Sequence, residues 1–134
     1  MILRDPVHGL VEFETDEEDI VAALLEAGEV QRLRRIRQLG LASLASPGAD
    51  HTRFSHAIGA AFVMTRFIRR MRQVHDALPF WQRVTTERAR DALAAALLHD
   101  VGHGPFSHLF EEALPNGPRH ETWTSRIILD PDTD

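Results

Sequence analysis

The stretch from Arg53 to about Val74 limits the possible folds of this chain more than any other segment. Its residues recur at helical spacing, and its first half carries apolar side chains on almost every side. A helix without a polar face is stable only when other elements bury it. Arginines at positions 66, 69, 70 and 72 indicate that the second half reaches solvent. The sequence therefore predicts a long central helix whose first half is buried.

Shorter helices are predicted on both sides of this central helix. A capping box formed by Thr15 and Glu18 indicates the start of the first one, and glycines and prolines separate the others. The predicted helices run from this box to Gly28, from Val30 to Gln38, from Thr86 to His99, over Phe106–Leu114 and over Glu121–Leu129. The first 15 residues are predicted as an arm of turns with a brief strand at Leu10–Phe13. We therefore expect an all-α fold with one domain over residues 1–134 and a helical core over 16–130.

Composition excludes several classes of protein. The chain has no cysteine, which rules out disulfide scaffolds, thiolate metal sites and cysteine nucleophiles. All 15 basic residues are arginine, so the lysine of a Walker-type phosphate loop is absent. A net charge of −5 does not indicate a general nucleic-acid-binding face. No apolar run approaches the length of a membrane span and no signal segment follows Met1, so we expect a cytoplasmic protein without a membrane partner.

His99 and Asp100 are the first candidates for chemistry, because they lie where the alanine-rich helix runs into a glycine-rich turn. Imidazole and carboxylate together suit a divalent metal ion. At a helix end two consecutive side chains can converge on one ion, whereas in mid-helix they diverge by about 100°. A carboxylate at a helix C-terminus is electrostatically unfavourable, which indicates a compensating cation. We therefore predict that both residues ligate a metal.

His56 is the third candidate ligand, on the apolar half of the central helix. Alone it would be interpreted as a hydrogen-bonded core residue. Arg53 lies one turn earlier on the same face and near the helix N-terminus. Backbone amides and a guanidinium group at such a place favour a phosphate group. In the alternative interpretation, the aliphatic part of the Arg53 side chain packs on the protein and its guanidinium group reaches solvent.

His99 and His103 are also spaced as in the zinc-protease motif His-Glu-x-x-His. That motif requires one unbroken helix with glutamate in its second position. Here Asp100 occupies that position and Gly102 lies inside the span. Pro105 also disfavours helical backbone in the residue before it. The sequence therefore does not support a zinc protease.

Three strings of residues resemble the HD-domain phosphohydrolases, and most closely their deoxynucleoside triphosphate triphosphohydrolase branch. They are Arg53-Phe54-Ser55-His56, the decapeptide His99-Asp100-Val101-Gly102-His103-Gly104-Pro105-Phe106-Ser107-His108, and His120-Glu121. The stretches Asp5–Gly9 and Gln31–Gly40 are also similar to that branch. The similarity runs from about residue 4 to 130, and the decapeptide is far more specific than a bare His-Asp pair.

The resemblance implies the N-terminal portion of an HD-domain helical bundle that hydrolyses deoxynucleoside triphosphates to deoxynucleoside and tripolyphosphate. His56, His99 and Asp100 match three of the family's four metal ligands. The other implied site residues are His103 and His120 for proton transfer, Arg53 and His108 at the phosphates, and Gln38 and Leu39 beside the sugar. Two histidines and one aspartate suit Mn, Fe, Zn or Ni, and Mg can accompany the substrate phosphates.

The family's fourth metal ligand is an aspartate on a later helix, and no residue of this chain matches it. Asp130 comes too soon after His120, while Asp132 and Asp134 lie in a predicted tail. We therefore interpret the chain as an HD domain that is incomplete at its C-terminus, with three protein ligands.

Two other functions stay open. One is HD-type hydrolysis of another nucleotide, such as a nucleoside monophosphate or a cyclic dinucleotide, and the other is a non-catalytic remnant that binds nucleotides or a partner subunit. Gln31 and Arg34 match positions near a regulatory nucleotide site in some relatives, with a solvated helix face as the alternative. Because relatives assemble into dimers to hexamers, the expected partners are a nucleotide substrate and further copies of the chain.

Overall fold

The computed structural model of the chain describes residues 1–46, 48–75 and 77–131. Within those ranges it is mostly helical, with one small antiparallel hairpin. The strands are β1 (Ile2–Asp5) and β2 (Gly9–Glu12), and the helices are α1 (Asp19–Leu25), α2 (Gly28–Arg32), α3 (Arg53–Val74), α4 (Thr86–Leu98), α5 (His108–Ala113) and α6 (His120–Leu129). The all-α prediction is confirmed, with the hairpin as an addition. No helix in these ranges has the length and apolar character needed to cross a membrane.

The N-terminal arm is a β-hairpin, so the predicted brief strand at Leu10–Phe13 is confirmed with a shift of one residue, whereas its partner strand β1 was not predicted. The strand runs over Gly9–Glu12 and pairs with β1, in a register that places Leu3 opposite Val11. Val11 is fully buried in the core, whereas Leu10 is exposed. One face of the hairpin therefore packs on the helices, as the alternating side chains of a strand require.

The predicted helix over Val30–Gln38 is wrong in both bounds. Helix α2 covers Gly28–Arg32, and a 3-10 turn continues it over Leu33–Arg35. Ile36 then adopts extended backbone (φ −111°, ψ 115°). Its carbonyl accepts a hydrogen bond from the amide of Arg53 at 2.8 Å. Pairing with the residues that begin α3 therefore overrides the helical periodicity of this segment.

Helices α3 and α4 form the centre of the fold, and the other elements pack around them. Each begins with a threonine cap, because the Thr52 side chain accepts from the amide of Ser55 and the Thr85 side chain accepts from the amide of Arg88. Apolar side chains of the hairpin, α1, α2, α3, α4 and the adjoining turns meet in one core. The buried core comprises Val11, Phe13, Val21, Leu25, Val30, Leu33, Ile36, Phe54, Ala57, Ile58, Ala61, Ile68, Ala89, Leu93, Leu97 and Val101.

One side of α3 is open, so the prediction that its first half is buried all round is wrong. Phe54 and Ile58 are buried, whereas Val63 is 50% exposed and Phe67 is 57% exposed. Strand β1, α2 with its 3-10 turn, and α4 pack on the other faces of α3, and no element among the described residues covers this one. The helical periodicity therefore identified the apolar face of α3 correctly, but it did not show that this face is exposed.

Gly102 lies where the turn after α4 meets α6. A Cβ at this position would be 2.2 Å from the carbonyl oxygen of His120 and 2.3 Å from the amide nitrogen of Thr124. We expect Gly102→Ala to lower the free energy of unfolding by about 1–3 kcal/mol or more, because overpacking would displace α6. Urea denaturation measures this change. Gly28→Ala is the matched control, since a Cβ there meets no atom within 4 Å. Wild-type stability of Gly102→Ala would contradict the close approach of α6.

Candidate metal centre

Three of the predicted ligands meet at one point between α3 and α4. His56 lies in the first turn of α3, and His99 and Asp100 follow the last residue of α4. His56 Nε2 is 3.2 Å from His99 Nε2 and 3.7 Å from Asp100 Oδ2. His99 Nε2 is 3.4 Å from Asp100 Oδ1. Two helix ends that are 43 residues apart in sequence thus bring three donor atoms together.

This donor set fits a divalent metal ion. Bonds of about 2.0–2.2 Å set at 90–109° to each other place neighbouring ligand atoms roughly 2.8–3.6 Å apart. Two of the separations, 3.2 and 3.4 Å, lie within that range, and the third, 3.7 Å, is just above it. His99 Nδ1 lies 2.9 Å from the carbonyl oxygen of Ala96, so Nδ1 carries the proton and the lone pair of Nε2 faces His56. His56, His99 and Asp100 could therefore hold an ion without rearrangement of the backbone.

Asp100 is buried directly below this point together with Arg53. Arg53 Nη1 donates to Asp100 Oδ2 at 2.5 Å. Burial opposes the ionisation of Asp100, but the neighbouring His103 and Arg53 outweigh it and hold the pKa of the carboxyl well below its usual value. Burial also lowers the pKa of His56, although the charge of Asp100 opposes this shift. At neutral pH the site thus offers a carboxylate and a neutral imidazole, the forms that bind metals.

Four more side chains form a second cluster beside these ligands. They are His103 in the turn after α4, His108 and Glu111 in α5, and His120 at the start of α6. Glu111 Oε1 is 2.8 Å from His120 Nδ1 and 3.6 Å from both His103 Nδ1 and His108 Nδ1. His103 Nε2 is 3.5 Å from Asp100 Oδ1. His103 therefore connects the second cluster to the first.

The second cluster contains a stacked pair of histidines that suits proton transfer, and the donor atoms of its four side chains also lie within 4.8 Å of one another. The rings of His103 and His120 stack with centroids 3.7 Å apart and planes 15° apart. Neither ring nitrogen of His103 has a hydrogen-bond partner among the described residues. Burial lowers the pKa of His103, which leaves a neutral ring able to accept a proton.

Glu111 supplies the negative charge of this cluster. Burial opposes its ionisation, but the hydrogen bond with His120 outweighs burial, and the pKa of Glu111 is lowered. A carboxylate at this place orients the His120 ring through Nδ1 and leaves Nε2 for other partners. The sequence predictions missed Glu111. The signal that could have found it is its position three residues after His108 on the same face of α5.

The predicted phosphate and sugar residues occupy two different environments. Arg53 is only 2% exposed, so the alternative of a solvent-exposed stem is wrong. Its Nη2 donates to the Ser107 hydroxyl, which donates in turn to the carbonyl oxygen of Gln38 at 3.0 Å. Gln38, Leu39 and His108 line a cleft of about 320 Å³. The structure thus places Arg53 beneath the ligands, and direct contact between Arg53 and a phosphate stays a prediction.

Backbone strain marks the turn that leads into α5. Phe106 and Ser107 have φ values of 63° and 62°, a conformation rare for residues with side chains. Hydrogen bonds of the Ser107 side chain hold this turn, and Gly40 makes room for it, since a Cβ on Gly40 would be 2.7 Å from the Phe106 carbonyl oxygen. The predicted helix start at Phe106 is wrong for this reason, and α5 begins at His108.

A cavity of about 830 Å³ adjoins the ligands on the side of His56 and His99. Its wall includes the open face of α3 at Ala60 and Val63, and the hairpin contributes His8. Its volume is within the range of small-molecule sites, roughly 300–1,000 Å³. The metal ligands are therefore accessible from a space large enough for a small molecule.

The structure provides three donors for the first cluster. Among the described residues, no further histidine or acidic side chain joins His56, His99 and Asp100 within 4.8 Å. Asp130 is exposed at the end of α6, and Asp132 and Asp134 lie outside the described residues. That the fourth family ligand has no counterpart in this chain therefore stays a prediction.

A family model described as "HD domain" matches residues 53–130, which include both clusters and helices α3–α6. The chain belongs to the HD domain family. HD domains are metal-dependent, and the donor set of this HD domain fits that property.

Curated relatives and a solved structure agree with this assignment. This HD domain is 41% identical over 128 residues to the uncharacterized protein YwfO of Bacillus subtilis (strain 168), and the match covers 96% of the chain and 27% of the relative. It is 35% identical over 127 residues to the bovine (Bos taurus) deoxynucleoside triphosphate triphosphohydrolase SAMHD1, covering 92% and 20%. The crystal structure of a phosphohydrolase from Bacteroides thetaiotaomicron superposes with a TM-score of 0.76 at 35% identity, covering 96% and 30%. The chain thus spans less than a third of each.

Proposed function

We propose that this HD domain takes part in the metal-dependent hydrolysis of deoxynucleoside triphosphates to deoxynucleoside and tripolyphosphate. The observation that carries the proposal is the adjacency of the two clusters, a metal-fitting triad of His56, His99 and Asp100 and a neutral buried His103 connected to it. Relatives named as deoxynucleoside triphosphate triphosphohydrolases are 32–36% identical over most of the chain, which supports this substrate class over other nucleotides.

The triad would hold a divalent ion such as Mn, Fe, Zn or Ni. When bound, the ion supplies Lewis acidity towards phosphate oxygens and lowers the pKa of water. Arg53 keeps Asp100 ionised and fixed in place through their 2.5 Å ion pair. The triad and Arg53 thus account for metal binding, and the proton transfers are assigned to the second cluster.

His103 and His120 carry the protons of the reaction. Water forms a bond to the α-phosphorus, the bond from that phosphorus to the deoxyribose oxygen breaks, and tripolyphosphate keeps the oxygen of water. One proton must leave the water and one must reach the deoxyribose oxygen. Two stacked imidazoles 3.7 Å apart, joined to a carboxylate, can accept the first proton and donate the second. Glu111 orients the His120 ring through its contact with Nδ1 at 2.8 Å.

The substrate itself is held by the predicted binding residues. Gln38, Leu39 and His108 line one cleft, in which a deoxyribose and its phosphates can contact amide, apolar and imidazole groups. Mg²⁺ can enter with the phosphates. Assembly of several copies, as expected from relatives of this type, would place additional surfaces around the substrate.

The products formed from each deoxynucleoside triphosphate test this proposal. We expect incubation with Mn²⁺ to yield deoxynucleoside and tripolyphosphate in equal amounts, no products after removal of metal with EDTA, and recovery when Mn²⁺ is returned. Chromatography of the nucleosides and phosphates measures all three. Orthophosphate release, or turnover of only monophosphates or cyclic dinucleotides, would favour another HD-type activity. Binding without turnover would instead favour a non-catalytic remnant.

A further inference from the structure

The turn that follows α4 carries most of the proposed chemistry in a few residues. His99 and Asp100 face the metal position, and His103 belongs to the proton-transfer cluster. The spacing of these side chains depends on the backbone between residues 99 and 103. Helix α4 ends at Leu98, so its ladder of hydrogen bonds does not hold this backbone by itself.

Arg32 binds this turn from one side. It is a residue of α2, and its guanidinium reaches across to two carbonyl oxygens of the turn. Nη1 donates to His103 O at 2.9 Å and Nη2 donates to Val101 O at 2.5 Å. The planar fork of an arginine can hold two acceptors at once, in a fixed relative orientation. The hydrogen bonds span 71 and 69 residues of sequence.

Thr124 binds the same turn from the other side. Its hydroxyl oxygen accepts from the amide of Gly102 at 3.0 Å and donates to the carbonyl oxygen of His99 at 3.2 Å. Arg32 and Thr124 together therefore hydrogen-bond to the backbone of four residues of the turn, at positions 99, 101, 102 and 103. Both side chains act on the backbone of the turn.

We propose that Arg32 is a positioning residue of the metal centre, which sets the spacing of His99, Asp100 and His103 through the two carbonyl groups that it binds. The proposal rests on the proposed metal-dependent function of the site. The guanidinium of Arg32 donates to carbonyl oxygens of the turn, so its effect on the ligands passes through the backbone. Loss of partners that orient metal ligands typically lowers metal affinity or activity about 10–100-fold.

Because Arg32 is exposed and is not part of the apolar core, a positioning role can be distinguished from a role in the stability of the fold. Arg32 is an exposed residue of a short helix, and the core beneath it is formed by Val30 and Leu33. Replacement of its side chain leaves those apolar contacts in place. We therefore expect metal binding to respond to a substitution of Arg32 more strongly than the stability of the fold does.

Titration with Co²⁺ tests the proposal, because its absorption spectrum reports affinity and coordination geometry without any turnover. We expect Arg32→Gln to bind Co²⁺ about 10–100-fold more weakly than the wild type, with an altered spectrum. Arg32→Lys should recover part of the affinity, since one ammonium group can reach only one of the two carbonyls in the same geometry. Arg35→Gln, an exposed arginine one turn away, is the matched control and should bind as the wild type does.

Urea unfolding of each metal-free variant completes the test. Wild-type Co²⁺ affinity in Arg32→Gln would overturn the proposal. So would a loss of unfolding free energy large enough to account for the whole loss of affinity. If the wild type binds Co²⁺ but hydrolyses no deoxynucleoside triphosphate, the proposed function fails, while the affinities of the Arg32 variants still decide the positioning role. Where turnover is present, Arg32→Gln should lower kcat more than it raises KM.

Discussion

Asp100→Asn should both abolish metal binding and destabilise the metal-free protein by about 3 kcal/mol. The amide cannot supply the anionic ligand of the triad, so we expect Mn²⁺ or Co²⁺ affinity to fall by more than about 100-fold, beyond the range typical of outer partners. Arg53, which is 2% exposed, would keep its charge without a counter-ion. Removal of one member of a buried ion pair costs roughly 3–5 kcal/mol, and the amide oxygen retains one acceptor for Arg53.

The two effects of Asp100→Asn can be measured separately. Calorimetric titration measures metal affinity, and urea denaturation in EDTA measures the stability of the metal-free protein. His99→Gln is the matched control, because the His99 side chain is 42% exposed and has no buried charge to leave unpaired. It should lose metal affinity while the free energy of unfolding stays within about 1 kcal/mol of the wild type. Unchanged metal-free stability in Asp100→Asn would show that the ion pair with Arg53 does not hold the site together.

The sequence predicted the helices that are held by local signals. Helical spacing and a glycine-rich end located α3 and α4 to within one residue of the predicted bounds. The same reasoning failed at Ile36, where the decisive interaction is a hydrogen bond from Arg53, which is 17 residues away. It also failed at β1, because that strand is stabilised by its partner strand and by the face of α3 rather than by a pattern of its own.

The sequence was sufficient to predict those site residues whose role follows from their side-chain chemistry and their position on a helix. His56, His99 and Asp100 were identified as ligands of one ion, and the structure places their donor atoms together. The burial of Arg53 and the position of Glu111 at the centre of three histidines were not predictable. Both depend on how α5 and α6 pack after a strained turn, and no periodicity in the sequence encodes that packing.

His120→Gln should lower kcat by about 10²–10⁴-fold while metal affinity stays close to that of the wild type. General acid–base catalysis by one histidine typically contributes that factor. His120 does not belong to the triad of metal ligands. Its ring stacks on that of His103, and its Nδ1 lies 2.8 Å from Glu111 Oε1. Glutamine keeps a polar side chain of similar reach but cannot carry a proton at neutral pH. Steady-state rates with the best deoxynucleoside triphosphate and a Co²⁺ titration measure the two quantities.

His75→Gln is the control for replacing a histidine by glutamine. His75 lies at the C-terminal end of α3, whereas the metal ligand His56 lies at its N-terminal end. It should leave kcat and metal affinity unchanged. If His120→Gln loses Co²⁺ affinity as strongly as His99→Gln does, His120 belongs to the metal centre and the separation into two clusters is wrong. If kcat falls less than tenfold with metal affinity intact, the protons of the reaction travel through solvent. A selective loss of kcat would instead assign the stacked pair to proton transfer, because the metal ligands and the fold would both remain as they are in the wild type.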